Sequence, residues 1–548
     1  MIETNLAYKE RNLNDILFRK KQYQRLKEFI YKLRAKRNFS IETEKSNFIL
    51  YPSISDIQIL KSILQRIDFS LPKKEKSYIT IALDNELLEI SKNLNLRDDI
   101  KYISKESLNN ELKNNIILIH DMNKIPLSVL RYAQHLEIID NYYFSDVEAE
   151  TMRKIFFYSF NKSEKESFLT LSKRNFIDFL EKNKHKKEAY CFTSGPSFDK
   201  YKDFDIDKNS LKVICNSIVK NNDFLNYIGG ADIVTFADPV FHFGPSEYAE
   251  AFRKDVINFL NNYDAYAIIP DYNLPLILSH YPNLKNKLIG MPIENKDFNF
   301  PNENNFYVKG SANILTLFMI PIASTIVDKI FLIGADGRKK EEKYFWKHSS
   351  SAQYDDKMDS AFTTHPSFFR DRDYEDYYEE HCNYLKKLIN YGESLDKVYA
   401  SITESFIPVL QEHSYDPNKS KKENIDNLIE LKNKNKNKFI NANDNLDFSK
   451  KVNILFKHIN LLKEKKLNIV IYGYGIIGKI FYQELKEQVI AVADINKDVS
   501  YEIQNYCPIE KIKELNFDKL VICTLGREKD IIKSLDIELD KIYLIDLL

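Results

Sequence analysis

Three apolar runs in the middle of the chain end in small polar or acidic residues. Ala189–Thr193 leads into Ser194-Gly195-Pro196-Ser197, Lys212–Cys215 into Asn216-Ser217, and Ile233–Ala237 into Asp238-Pro239. A tight polar turn presents backbone amides and hydroxyls to an anion, a carboxamide pairs with base or ribose edges, and a carboxylate accepts from hydroxyls. Two further stretches carry related chemistry. Gly310-Ser311 stands just before the apolar run Ile314–Val327, which places Ser311 near a helix N-terminus facing anionic groups. Lys329–Ile333 ends in Gly334-Ala335-Asp336-Gly337-Arg338, where the guanidinium offsets phosphate charge. Each stretch alone reads equally well as a turn or a cap. Their convergence at successive strand ends predicts one cleft that holds a nucleotide.

Nearer the C-terminus, NIVIYGYGIIGKIFYQEL sets Gly473, Gly475 and Gly478 in the G-x-G-x-x-G spacing between an apolar strand and an amphipathic helix. The first two glycines permit a tight turn and close approach of a diphosphate to the helix N-terminus, and the third lets helix and strand pack closely. Asp494 ends the next strand about 20 residues on, where a carboxylate accepts from a ribose hydroxyl. The spacing predicts a Rossmann-like unit with room for a nucleotide. The unit is about half a dinucleotide fold, and no catalytic Tyr/Lys or His/Arg set follows it, so an accessory or structural role is expected rather than redox chemistry.

Parallel sheets must hold these stretches. A chain of 548 residues exceeds one core, so about three domains are expected. Residues 1–45 read as a helical arm (Leu26, Phe29, Ile30, Leu33) whose basic face suits solvent or a membrane surface. Residues 46–184 alternate short apolar runs (Asn47–Leu50, Tyr78–Leu83, Asn115–Ile119, Leu136–Ile139) with helical segments, as in an α/β domain, and lack a glycine loop. Residues 185–412 hold the polar strand ends and a further strand, Ala265–Ile269. A Lys/Asn-rich linker and helix fill 413–466, and 467–548 restart the βαβ pattern with Asn468–Tyr472, Val489–Asp494, Lys519–Thr524 and Lys541–Ile545. The expected fold class is α/β and multidomain: a central Rossmann-like parallel-sheet domain and a small Rossmann-like domain at the C-terminus.

Lys plus Arg (80) balance Asp plus Glu (80), so no basic excess draws a phosphate polymer, and nucleic acid is not an expected partner. Cys191, Cys215, Cys382, Cys507 and Cys523 form no CxxC pair and read as reduced core thiols. The first residues are charged where a secretory signal needs an apolar stretch. Ile314–Val327, the longest apolar run, contains Pro321 and falls short of the ~20 residues of a membrane span. A cytoplasmic protein is expected, and the basic arm leaves room for peripheral contact at the inner membrane. The sequence leaves the oligomeric state, including a homo-oligomer, open.

The ordered motifs of 185–412 resemble those of the bacterial sialyltransferases of glycosyltransferase family forty-two and the related motility accessory factors, which put nonulosonic acids on flagellin. Thr193-Ser194-Gly195-Pro196-Ser197-Phe198 is similar to the family's Gly-Asn-Gly-Pro-Ser-Leu loop, and Cys215-Asn216 to its Cys-Asn strand end. Phe236-Ala237-Asp238-Pro239 resembles its aromatic-x-Asn-Pro segment, Gly310-Ser311 its Ser-Gly helix start, and Gly334-Ala335-Asp336 its Gly-x-Asp strand end. Ser401-Ile402-Thr403-Glu404-Ser405 resembles the polar segment that closes the nucleotide site. Ser194 and Asp238 stand where the family has asparagine, and Arg338 where it has a tyrosine, which puts the identity of donor sugar and base in doubt.

The resemblance implies a CMP-linked sugar donor, a glycan or flagellin acceptor, and direct displacement at the anomeric carbon without a metal. It implies Tyr344 and Arg338 against the leaving phosphate and His365, in Phe362-Thr363-Thr364-His365-Pro366, as the base. From composition alone His348, His365 and His381 read equally as core or surface histidines, and Tyr374, Tyr377 and Tyr378 as a packing face. Asp371-Arg372-Asp373 has metal-ligand spacing within a charged aromatic helix, and no metal is expected there. Three alternatives remain: a pterin pyrophosphokinase-like enzyme using ATP and Mg²⁺, an NAD-binding oxidoreductase or sensor built on the C-terminal fingerprint, and a non-enzymatic scaffold.

Overall fold

The computed structural model describes residues 47–548 apart from 95, 122–126, 131, 133–134, 142–144, 339–347, 366–374, 445–447, 497–498, 501–502, 525–527, 536 and 546–548. The arm 1–45, Tyr344, Asp371-Arg372-Asp373 and Tyr374 lie outside the described residues. The chain divides into two units, Met1–Asn433 and Lys434–Leu548.

The first unit contains two parallel sheets. Its five-stranded sheet is built from β1 (Phe48–Ile54), β2 (Ile79–Leu83), β3 (Ile100–Ser104), β4 (Ile116–Ile119) and β5 (Leu136–Ile138), in the order β3-β2-β1-β4-β5. ITIAL, apolar but for Thr80, and IILI, apolar throughout, are buried at every position, as strands covered on both faces must be. The larger sheet comprises β6 (Glu188–Phe192), β7 (Leu211–Cys215), β8 (Ile233–Thr235), β9 (Tyr266–Pro270) and β10 (Leu288–Met291). After a two-strand ribbon, β11 (Ile293–Glu294) with β12 (Val308–Lys309), come β13 (Lys329–Ile333) and β14 (Val398–Ser401). Its order is β10-β9-β8-β7-β6-β13-β14.

From β6 the chain winds outward to β10, then returns to lay β13 on the other side of β6, so strand order reverses between β6 and β13. That reversal opens a crevice beyond the carboxyl ends of the two strands. The helix Lys162–Asn183, which precedes β6, packs on this sheet: Asn175 Nδ2 donates to the Leu288 carbonyl (2.7 Å), and the Gly290 amide to Ser172 Oγ (3.0 Å). It serves the larger sheet although the sequence grouped it with residues 46–184. Among the described residues no helix is long and apolar enough to cross a membrane.

The second unit carries β15 (Ile469–Tyr472), β16 (Val489–Ala493), β17 (Lys519–Ile522) and β18 (Ile542–Leu544), all parallel, in the order β16-β15-β17-β18. The fold class follows the sequence expectation, α/β, multidomain and Rossmann-like, whereas β3, β10 and β14 are strands that the sequence did not place.

Candidate functional site

Every pairing in the seven-stranded sheet is parallel, and the register keeps the ends level: Phe192 opposite Ile214 and Ile333, Cys215 opposite Thr235, Leu332 opposite Ser401. The residues that follow β6, β7, β8 and β13 therefore share one rim. Ser194, Gly195, Asn216, Asp238 and Asp336, far apart in the chain, are brought there together.

Backbone approach is closest at the crevice. The Gly195 amide donates to the Gly334 carbonyl (3.0 Å), and the Gly334 amide to Thr403 Oγ1 (2.9 Å). A Cβ on Gly195 would stand 2.1 Å from Asp336 Oδ2, and one on Gly334, whose φ is +80°, 2.1 Å from the Thr193 carbonyl. Both glycines are steric requirements of the crossing. The Ser197 amide, opening the turn that Pro196 starts, donates to Asp336 Oδ2 (3.1 Å). Burial raises the Asp336 carboxyl above its usual range, opposed by the Ser197 contacts.

Beside this crossing, Asn216 holds a left-handed backbone (φ 49°), a conformation asparagine tolerates better than most residues. Its Oδ1 is buried and has no hydrogen-bond partner. An unpaired buried acceptor costs about 1–3 kcal/mol. Ser217 Oγ pairs with Tyr248 Oη (2.9 Å), which donates to Gln353 Oε1 (2.7 Å).

Two assigned side chains have local work instead. Asp238 Oδ1 accepts from the Val240 and Phe241 amides (2.8 and 2.9 Å), capping the turn after β8 rather than facing a ligand hydroxyl with both oxygens. Ser311 Oγ is hydrogen-bonded to Thr316 Oγ1 (2.5 Å) and accepts from the Asn313 amide (3.3 Å), so it braces the turn before its helix instead of facing an anion; neighbouring Gly310 is exposed. Arg338 is buried, its guanidinium 5.0 Å from the Tyr378 ring centroid.

His348, given no role by the sequence, lies at the crevice. Its Nδ1 is 2.9 Å from Ser194 Oγ, and the following Ser349 amide donates to the Ser194 carbonyl (2.9 Å). Asp199 accepts from the hydroxyls of Ser349 (2.7 and 2.8 Å) and Ser351 (2.6 Å). The segment 348–354 is thereby strapped across the loops after β6 and β7. Partners so distant in sequence leave no local spacing by which to find them.

His365 lies farther along the rim, on the β8 side. It is 1% exposed, and its Nδ1 is 3.5 Å from Oε2 of Glu148, itself 2% exposed. Arg66 completes the cluster, donating from Nε (3.0 Å) and Nη2 (2.9 Å) to Glu148 Oε1. Burial pushes the His365 imidazole below its ordinary value, against the pull of Glu148. Burial raises Glu148, but Arg66 and His365 outweigh it and hold the carboxyl below the usual range. Asp271, also unassigned, directly follows β9, its carboxyl pushed up to about 6 by burial.

In the second unit, Gly473 (φ 93°) turns the chain into the helix Ile476–Glu484. A Cβ on Gly478 would be 1.9 Å from the Gly473 carbonyl, whereas one on Gly475 meets nothing within 4 Å. The third glycine is thus demanded by packing and the second faces open space. Asp494 takes amide hydrogens from Tyr474 (2.6 Å) and Asn496 (2.7 Å), so it fastens the glycine loop. Gly478→Ala is expected to unfold this unit at lower denaturant concentration, with the first unit's transition unmoved in the same circular-dichroism titration.

No protein-family model, no curated protein and no solved structure matches this chain.

Proposed function

We propose that the first unit is a glycosyltransferase that takes a sugar, a sialic or other nonulosonic acid, from a CMP-linked donor. The nucleotide sits in the crevice between β6 and β13, and the acceptor is a hydroxyl of a surface glycan or of flagellin. The observation that carries this reading is the buried, unpartnered Oδ1 of Asn216 beside the Ser194-Gly195 crossing. It is an acceptor placed for the exocyclic amine of a cytosine or for a ribose hydroxyl. The motif order along 193–405 supports the donor class, and the nearby polar turn and Arg338 suit a phosphate. His365 takes the acceptor proton as the hydroxyl oxygen attacks the anomeric carbon and CMP departs with the bonding electrons.

Thermal denaturation with CMP, UDP, GDP, ATP and NADH tests the reading. CMP at about 100 times its Kd should stabilise the first unit by about 2.7 kcal/mol. Asn216→Gly keeps the backbone conformation and removes the acceptor, so CMP should bind about tenfold more weakly, the worth of one hydrogen bond. Stabilisation by ATP with Mg²⁺ but not by CMP would point to phosphotransfer and end the CMP assignment.

A further inference from the structure

The helix Ser145–Tyr158 follows the five-stranded sheet in the chain, yet it reaches the rim of the seven-stranded one. Arg153 donates to the Ala237 carbonyl, just after β8, and Asn273, just after β9, donates to the Arg153 carbonyl (3.0 Å). Earlier on the same helix stands Glu148, whose Oε2 faces His365 Nδ1. That 3.5 Å approach is an ion-pair contact without hydrogen-bond geometry: neither ring nitrogen of His365, nor Glu148 Oε2, has a hydrogen-bond partner. The other ring nitrogen, Nε2, points at Gly244, where an added Cβ would lie 2.9 Å away. Arg66, Glu148, Pro239, Gly244 and His365 line a cavity of about 10 Å³ there, room for one hydroxyl-sized group.

An imidazole with a carboxylate 3.5 Å from one nitrogen and none beside the other approaches the arrangement of a general base and its orienter. Resting on the transferase reading above, we infer that Glu148 is the positioning residue for the base His365, so that the five-stranded part completes the active site of the seven-stranded part. Glu148, 3.5 Å away, needs a slight approach when the acceptor binds to hold the hydrogen on Nδ1 and leave the Nε2 lone pair free on the Gly244 side. When the acceptor O–H bond breaks, its proton passes to Nε2 and its electron pair forms the new bond to the anomeric carbon. Glu148 then stabilises the imidazolium until the proton leaves to solvent. Arg66 keeps Glu148 ionised.

The charged and titratable groups acting on His365 are Glu148 from the helix Ser145–Tyr158, Arg66 from the helix Ile57–Ser70 and Asp238 from the β8 loop. Removing the Glu148 charge lowers the imidazole's proton affinity further, so the acid limb of the rate profile moves to lower pH. Glu148→Gln should lower kcat about 100-fold, leave CMP affinity within about twofold, and shift both the acid limb and the His365 Cε1–H titration downward. Glu148→Asp should recover part of kcat. In the wild-type protein, nitrogen-15 shifts should show the hydrogen on Nδ1. Normal transfer by the wild type with an unmoved limb and an unmoved His365 titration in Glu148→Gln overturns the inference alone. A wild type that neither binds CMP nor transfers overturns the transferase reading, and the base assignment with it.

Discussion

Gly334→Ala should abolish stabilisation by CMP and lower the stability of the first unit by about 2–5 kcal/mol, read from denaturant unfolding with and without nucleotide. Two costs add. A left-handed backbone disfavours alanine by about 1–2 kcal/mol, and the residue holds φ at +80°. The new Cβ also meets the Thr193 carbonyl at 2.1 Å and Phe198 Cβ at 3.1 Å. Overpacking a tight site costs about 1–3 kcal/mol more. Relief requires β6 and β13 to part at their ends, which moves the Ser194 loop from Asn216 and Asp336. Gly475→Ala in the second unit is the control, because its Cβ meets nothing within 4 Å; its stability should stay within about 0.5 kcal/mol. Equal effects of the two substitutions would contradict the steric account.

Glu393→Ala should cost about 3–5 kcal/mol, the penalty for leaving half of a buried pair behind. Glu393 Oε1 is 2.9 Å from His413 Nε2, and both side chains are 1% exposed. The other ring nitrogen donates to the Val409 carbonyl (2.7 Å). The pair ties the helix Glu375–Ser394 to the segment beside β14, where the Ser401 amide donates to the His413 carbonyl (2.8 Å). Thr403, which receives the Gly334 amide, follows directly, so CMP binding should weaken too. Glu393→Gln retains a hydrogen-bonding group and should lose clearly less in the same thermal unfolding experiment. Loss below about 1 kcal/mol for Glu393→Ala would show that the pair is not anchored as described.

Strands wrapped on both faces announce themselves as unbroken apolar runs, which is why β1, β2, β4 and most of the larger sheet were legible. β3 was not, because IKYIS is half exposed and broken by Lys101. β10 escaped because Gly290 interrupts LIGM, and β14 because VYAS ends in a small and a polar residue. Residue type at a strand end was enough to expect Ser194, Gly195, Asn216 and Asp336 on one rim, since parallel topology brings all such ends together. Direction was not legible. Whether Asp238 and Ser311 face a ligand or cap their own turns depends on side-chain torsions that spacing does not encode. His348 with Ser194 and Glu148 with His365 are pairings made by the packed fold, invisible to any local pattern.

The central claim is that CMP occupies the crevice between β6 and β13. Hydrogen–deuterium exchange of the intact chain with and without CMP reads the site directly. Slowed exchange is expected in Thr193–Ser197, Asn216–Ser217 and Gly334–Asp336. Protection confined to the glycine loop of the second unit, or found nowhere, would contradict it.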